Sequence, residues 1–224
     1  MCYQTHRMKH TSFTLGIVST LLLSACASTG TKSSYSVKAL KPNNPSAVRV
    51  KVSLSTQNVY VLEGDRLLMA AATCIGTPQK PTPKGPFSIT NKIENKRSMS
   101  YGFFVQGNNI VPGEQSKPMP GKFVGYPMGY WCEFAPAYGF HAGYVWPTPR
   151  THGCLRLHKD VAPKFFALVK VGTPVSIAES QPEDATYGKN VVRPTDYMDP
   201  DPAPEIMISP KAFHVPQGPL LQDQ

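Results

Sequence analysis

From Val48 the chain alternates: Val48, Val50, Val52 and Leu54 are apolar, and Arg49, Lys51 and Ser53 between them are polar. A period of two puts successive side chains on opposite faces of an extended chain, so this segment predicts a half-buried strand. Asn58 to Leu62 continues as strand, Glu63-Gly64-Asp65 makes a tight turn, and Arg66 to Ile75 returns, which together form a β-hairpin. Gly76 to Phe87 is too rich in Pro and Gly for regular structure, and Phe87 to Ile93 resumes a strand. Residues 98–130 set aromatics between Gly and Pro breaks, which predicts short strands joined by a long loop. Trp131 to Phe134 and Gly139 to Val145 read as strands on either side of a turn at Ala135 to Tyr138.

One helix is expected, after Leu157. Asp160 is its candidate cap, Pro163 lies in the first turn where a missing N–H costs little, and Phe165, Phe166, Leu168 and Val169 supply the apolar side. Gly172-Thr173-Pro174 stops it, and Val175 to Ala178 closes a mainly β domain. Beyond Glu179 the chain has eight prolines and no sustained periodicity, so a partly extended, mobile tail is expected, with Ile206 to Ile208 as a candidate edge strand.

The other end has a different pattern. Arg7 and Lys9 precede an apolar run from Phe13 to Leu23, which ends in Leu23-Ser24-Ala25-Cys26. The run is short of the ~20 residues that a membrane span takes, and small residues before a cysteine are what a lipoprotein signal requires. Residues 1–25 are therefore expected to be a signal peptide, with Cys26 lipidated and Ser/Thr-rich residues 26–46 as a tether. Ala27, rather than Asp, after Cys26 makes the outer membrane the expected address of a periplasmic, lipid-anchored protein. The domain then runs over 47–178 and the tail over 179–224.

In 224 residues, 41% of them hydrophobic, there is material for one core and not two. The formal charge of +9 is uneven: residues 27–178 carry 18 Lys and Arg against 6 Asp and Glu, and residues 179–224 carry 3 against 8. The basic part suits an anionic partner or a solvated surface. Export disfavours nucleic acid and leaves cell-wall polymers as the anionic candidate. Of five cysteines, Cys2 leaves with the signal and Cys26 takes lipid. Cys74, Cys132 and Cys154 remain, and Cys74 with Cys132 reads either as a disulfide or as two buried thiols.

The chemistry concentrates in Phe140 to Leu157, FHAGYVWPTPRTHGCLRL, which brings His141, His152 and Cys154 into one turn-rich stretch. A thiol needs a base or a positive neighbour to become a competent nucleophile. Cys154 follows Gly153 at a turn, where the N–H groups of both are candidates for an oxyanion hole, and His141 on its own strand is the candidate base. Three other readings stand beside this one. Zinc would take His141, His152, Cys154 and His158, without the CxxC or HExxH spacing usual for such sites. Alternatively the histidines and Cys154 are structural, or Cys154 is disulfide-bonded to Cys74 or Cys132.

Thr151-His152-Gly153-Cys154-Leu155-Arg156-Leu157 resembles the Ser/Thr-His-Gly-Cys signature of the L,D-transpeptidase catalytic domain (YkuD) family. The hairpin from Val48 to Ile75, Thr82-Pro83-Lys84-Gly85-Pro86-Phe87 and Gly172-Thr173-Pro174-Val175 are similar to family segments in the same order. The resemblance implies a β-sandwich with one short helix after the catalytic cysteine. It implies Cys154 as nucleophile, His141 as a base held by the backbone carbonyl of the next residue, and His152 and Gly153 shaping the oxyanion site. Arg156, Thr151 and Tyr144 are the candidate substrate contacts. The implied substrate is a peptidoglycan stem tetrapeptide, acylating Cys154 as a thioester and passing to a second stem's amine, a lipoprotein's lysine or water. Carbapenem β-lactams are implied inhibitors, no cofactor is expected, and a wall-binding protein without activity is the alternative from another class. Arg156 stands where many members have Asn, and either binds a substrate carboxylate or pairs with Asp160. Ala142 follows the base where others have Gly or Ser, a change that a backbone contact tolerates. With so short a connection from His141 to Cys154, residues 105–130 are the expected source of any lid.

Overall fold

The computed structural model describes residues 35–223. The expected signal peptide, Cys26 and the start of the tether lie outside them. The alternating segment and its hairpin form β1 (Val48–Ser53), β2 (Asn58–Glu63) and β3 (Arg66–Ala72), with Val48, Val50 and Val52 buried as the period of two requires. Next along the chain, β4 (Gly85–Ser88) lies at the edge of the same sheet. The second sheet follows as β5 (Asn91–Gln106), β6 (Asn109–Glu114), β7 (Lys122–Ala135), β8 (Tyr138–Ala142) and β9 (Leu155–Leu157). After helix α1 (Ala162–Leu168), β10 (Pro174–Ala178) returns to the first sheet. The orders are β3-β2-β1-β10-β4 and β6-β5-β7-β8-β9, antiparallel except for the β1–β10 and β8–β9 pairs.

Both sheets feed one core. Val50, Val61, Val175 and Ile177 from the first and Phe134, Phe140, Leu155 and Leu157 from the second belong to one buried cluster, and Phe87 meets Phe134 at 5.4 Å between ring centroids. Phe165 docks α1 on the second sheet through Phe140, with centroids 4.4 Å apart. Each fully buried side chain of this size contributes ~1.5–3 kcal/mol relative to exposure. The result is the two-sheet, mainly β fold with a short helix after β9 that the sequence predicts.

Five expectations change. The strand expected from Phe87 to Ile93 is split, because the chain leaves the first sheet at Ser88 and enters the second at Asn91. Residues 98–130 are not short strands and a long loop but the long β5 and β7 with β6 beside them. The glycines there are internal to strands: a Cβ on Gly125 would lie 1.8 Å from the Ser98 carbonyl oxygen, so glycine permits the close crossing where the β5–β7 register shifts. Asp160 does not cap α1, whose N-cap is Val161 without a side-chain bond; its carboxylate pairs with His214 at 3.0 Å.

The tail is not a mobile extension. Asp184 accepts hydrogen bonds from the hydroxyls of Tyr60, Ser53 and Thr56 at 2.7–2.9 Å, and Lys51 pairs with Glu183 at 2.6 Å, so the tail covers the outer face of β1 and β2. This explains why β2 is buried on both faces, in keeping with a sequence that does not alternate. The segment around Ile206 forms a one-turn helix, α2 (Pro204–Met207), instead of an edge strand. The end of the tether also packs, with Val37 and Ala39 buried and Leu40 bridged to Gln222.

Candidate active site

β9 has three residues and is held on both edges. On one side it pairs in parallel with β8, setting His141 opposite Arg156 and Phe140 opposite Leu155; on the other, Cys74 and Arg156 exchange two backbone hydrogen bonds of 3.0 Å. The turn before β9 is tied by Thr151, which is buried: its Oγ1 accepts the Gly153 N–H at 3.0 Å and donates to the Cys154 carbonyl at 2.6 Å. Gly153 adopts φ +107°, and a Cβ there would lie 2.3 Å from Tyr138 Cε1. Only glycine fits on both counts.

These contacts reassign two residues. The hydroxyl of Thr151 is engaged in the turn in both directions, so the geometry gives it a scaffold role. The Gly153 N–H is engaged as well, which leaves the Cys154 N–H, with no hydrogen bond among the described residues, as the candidate oxyanion donor of the pair. The Tyr144 hydroxyl donates to the Pro200 carbonyl at 3.0 Å and thus faces the tail.

His141 is buried, and its Nδ1 lies 2.8 Å from the Ala142 carbonyl. A carbonyl only accepts, so Nδ1 carries the proton and Nε2 keeps the lone pair. Burial, with the nearby Arg156 charge, lowers the imidazole to a pKa of about 4. Cys154 is partly buried, and its thiol points at the Ala137 carbonyl, 3.7 Å away. Burial raises its pKa, against the Gly139 backbone and the positive charges of Arg156 and Lys96, which lower it. With the thiol raised and the imidazole lowered, the pair rests as neutral thiol and neutral base. A neutral imidazole with a free Nε2 lone pair is able to accept a thiol proton across the neutral range.

Around the pair, His152 is exposed and packs edge-on against Tyr101 at 4.7 Å between centroids. Partial desolvation, then Lys80 and Arg156, lower its pKa. The Arg156 guanidinium has no carboxylate partner among the described residues, and Asp160 faces His214 and His158 instead, which removes the pairing reading. His158 lies between Tyr35, Asp160 and Asp196. Cys74, Cys132 and Cys154 are free thiols, so the disulfide alternatives fall. No group of three His, Cys, Asp or Glu side chains suited to a metal occurs among the described residues.

Sequence reading missed Ala137, Tyr138, Lys96 and Tyr101. Ala137, with φ +66°, sits in the β7–β8 turn and Tyr138 begins β8, and the others reach the site from β5, far away in the chain. Strand pairing alone brings these together. The ring that packs on His152 is that of Tyr101 on β5, just outside the stretch expected to supply a lid.

Residues 47–177 match the family model described as the L,D-transpeptidase catalytic domain, YkuD. Among curated relatives, YqjB of Bacillus subtilis (strain 168), provisionally named an L,D-transpeptidase, is 25% identical over 146 residues, covering 62% of this chain and 73% of YqjB. Among solved structures, an L,D-transpeptidase (Yku) from Stackebrandtia nassauensis aligns with a TM-score of 0.46 at 20% identity, over 67% of this chain and 63% of that one. The catalytic domain of the E. faecium L,D-transpeptidase aligns with a TM-score of 0.42 at 24% identity, over 58% of this chain and 96% of that one. The chain spans about half to two thirds of the first solved structures that it matches.

Proposed function

The chain belongs to the L,D-transpeptidase catalytic domain (YkuD) family, and we propose that it transfers peptidoglycan stem peptides through a thioester on Cys154. The observation that carries this reading is the β8–β9 pairing, which sets the strand bearing His141, its Nδ1 held by the Ala142 carbonyl and its Nε2 free to accept, beside the turn that presents the partly buried Cys154. In the acylation step the Cys154 sulfur bonds to the carbonyl carbon of the third stem residue while its proton passes to His141. The tetrahedral oxyanion meets the Cys154 N–H. The bond to the terminal D-alanine then breaks, and the departing amine takes the proton from His141. In the second step an acceptor amine attacks the thioester, loses its proton to His141, and the sulfur leaves as thiol. In this reading Arg156, with no carboxylate partner among the described residues, receives a substrate carboxylate.

The acceptor in this proposal is the side-chain amine of a second stem, giving a 3→3 crosslink, or the lysine of a lipoprotein; water would give carboxypeptidase activity from the same intermediate. Carbapenems, as acylating agents, would react with the same sulfur. Lipidation of Cys26 and an address in the periplasm, at the outer membrane, complete the proposal and rest on the sequence of residues 1–26.

Full-length protein in detergent is incubated with tetrapeptide muropeptides, and D-alanine, crosslinked product and the mass of the Cys154-bearing peptide are followed together. D-alanine release is expected with a transient adduct on Cys154, and Cys154→Ala is expected to lower the rate by at least ~10⁴-fold. Release that persists in the Cys154→Ala protein sinks the mechanism.

A further inference from the structure

The segment that joins the base to the nucleophile, residues 143–150, has no secondary structure. From the domain side it is held by Gln57, whose Nε2 donates to the Pro147 carbonyl at 2.6 Å, and by the Ile75 carbonyl, which accepts from the N–H groups of Arg150 and Thr151 at 3.0 Å. Its other support comes from beyond residue 177, where the family match ends. Asp196 Oδ1 accepts the Val145 N–H at 3.3 Å, and the Tyr197 ring packs on Trp146 at 5.2 Å between centroids. Trp146 in turn carries the Arg150 guanidinium 4.1 Å above its ring, one residue before Thr151. Val191 packs against a small core of Ala72, Cys74 and Val145 that is separate from the main one.

We infer that Asp196 and Tyr197 are positioning residues for the acyl transfer: through Val145 and Trp146 they fix the segment that runs from His141 to Cys154. The inference rests on the reading of those two residues as the reacting pair. Val145 and Trp146, four and five residues after His141, meet the tail directly, and Arg150, four residues before Cys154, is reached from it only through the Trp146 ring. A displacement of ~1 Å between reacting groups can cost ~10²-fold in rate. Between Gly143, whose N–H donates to the Leu157 carbonyl at 2.9 Å, and Pro147, no backbone–backbone hydrogen bond ties residues 144–146 to the strands among the described residues, so without the tail this stretch has room for such a displacement. Neither Asp196 nor Tyr197 touches Cys154 or His141, so their loss alters the rate of the chemical step and not the affinity for the donor.

Full-length Asp196→Ala and Tyr197→Ala are compared with Asp196→Asn, whose side-chain carbonyl still accepts from Val145, and Tyr197→Phe, which keeps the ring. The alanine variants are expected to lose ~10–100-fold in kcat with KM within about twofold, and the conservative variants to stay within about threefold of wild type. Alkylation of Cys154 by iodoacetamide, mapped by mass, is expected to slow in the same two alanine variants, because the thiol depends on His141 for its proton. Unchanged kcat and alkylation would overturn the inference. So would faster alkylation at Cys154 and Cys74, which marks local opening, or equal losses in the conservative variants. If wild type releases no D-alanine, the proposed substrate fails while the alkylation rates still report on the tail contacts.

Discussion

Cys132 and Cys154 lie on either side of Phe140: Cys132 pairs with it from β7, and Leu155, next to Cys154, pairs with it from β9. Cys132 is in the covered middle of the sheet, fully buried in the core cluster, and burial pushes its thiol up to about 12, with only Lys92 opposing. Cys154 is at the rim, where the sheet gives way to a turn. Burial raises its thiol as well, but Arg156, Lys96 and the Gly139 backbone work against that rise, and His141 stands on the neighbouring strand. The difference between the two thiols is therefore not burial alone. The rim supplies an exposed face, two positive charges and a candidate proton acceptor, and the middle supplies only the single charge of Lys92. The predictions below test whether that contrast holds.

The largest effect is expected from Gly153, which places Cys154 at the rim. Gly153→Ala adds a Cβ at φ +107° and 2.3 Å from Tyr138 Cε1. Backbone strain of ~1–3 kcal/mol joins an overlap that is relieved only by moving the turn or the Tyr138 ring. The Cys154 N–H and sulfur shift with it, and acylation is expected to fall by at least ~100-fold. Wild-type acylation in a folded Gly153→Ala protein would mean that the turn does not set the nucleophile.

Much of this contrast was legible in the sequence, and for a physical reason. The period of two at Val48 to Leu54 and the glycine between His152 and Cys154 are local patterns, and each maps to one conformation. What the sequence did not disclose is set by distant contacts. Gly102 and Gly125 look like breaks but permit a strand crossing, the eight prolines of the tail suggested mobility although Asp184 and Asp196 anchor it, and Lys96 and Tyr101 reach the site only by strand pairing. The Thr151 hydroxyl also removes the Gly153 N–H from the oxyanion site, which no spacing predicts.

A smaller effect is expected from pH, and its sign follows from the base. His141 acts when neutral, and its pKa of about 4 keeps it neutral at all pH values well above that. The acid limb of kcat/KM for acylation is therefore expected near pH 4, with a nearly flat rate between 7 and 5, instead of the limb at ~6.5 of an ordinary imidazole. On the alkaline side, alkylation of Cys154 is expected to keep rising above pH 9, because its thiol is raised from that value. An acid limb between 6 and 7 would show that burial does not hold His141 in its neutral form.

The smallest effect on rate is expected at Cys132, where the comparison predicts a change in stability without a change in chemistry. Cys132→Ala removes one sulfur from a site with no solvent exposure, packed in the core with Phe134 and Phe140. Deleting one buried heavy atom and leaving a small cavity costs about 1–2 kcal/mol, which for a domain of this size lowers Tm by ~2–8 °C. The strand partner of Cys132 is Phe140, and the bonds between them are backbone bonds that alanine keeps. His141 should therefore retain its place on β8, and kcat/KM should stay within about twofold of wild type at temperatures well below the melt. A large loss of rate at full folding would mean that the covered middle of the sheet and its reactive rim are coupled through Phe140, and the two thiols would then differ in degree rather than in kind.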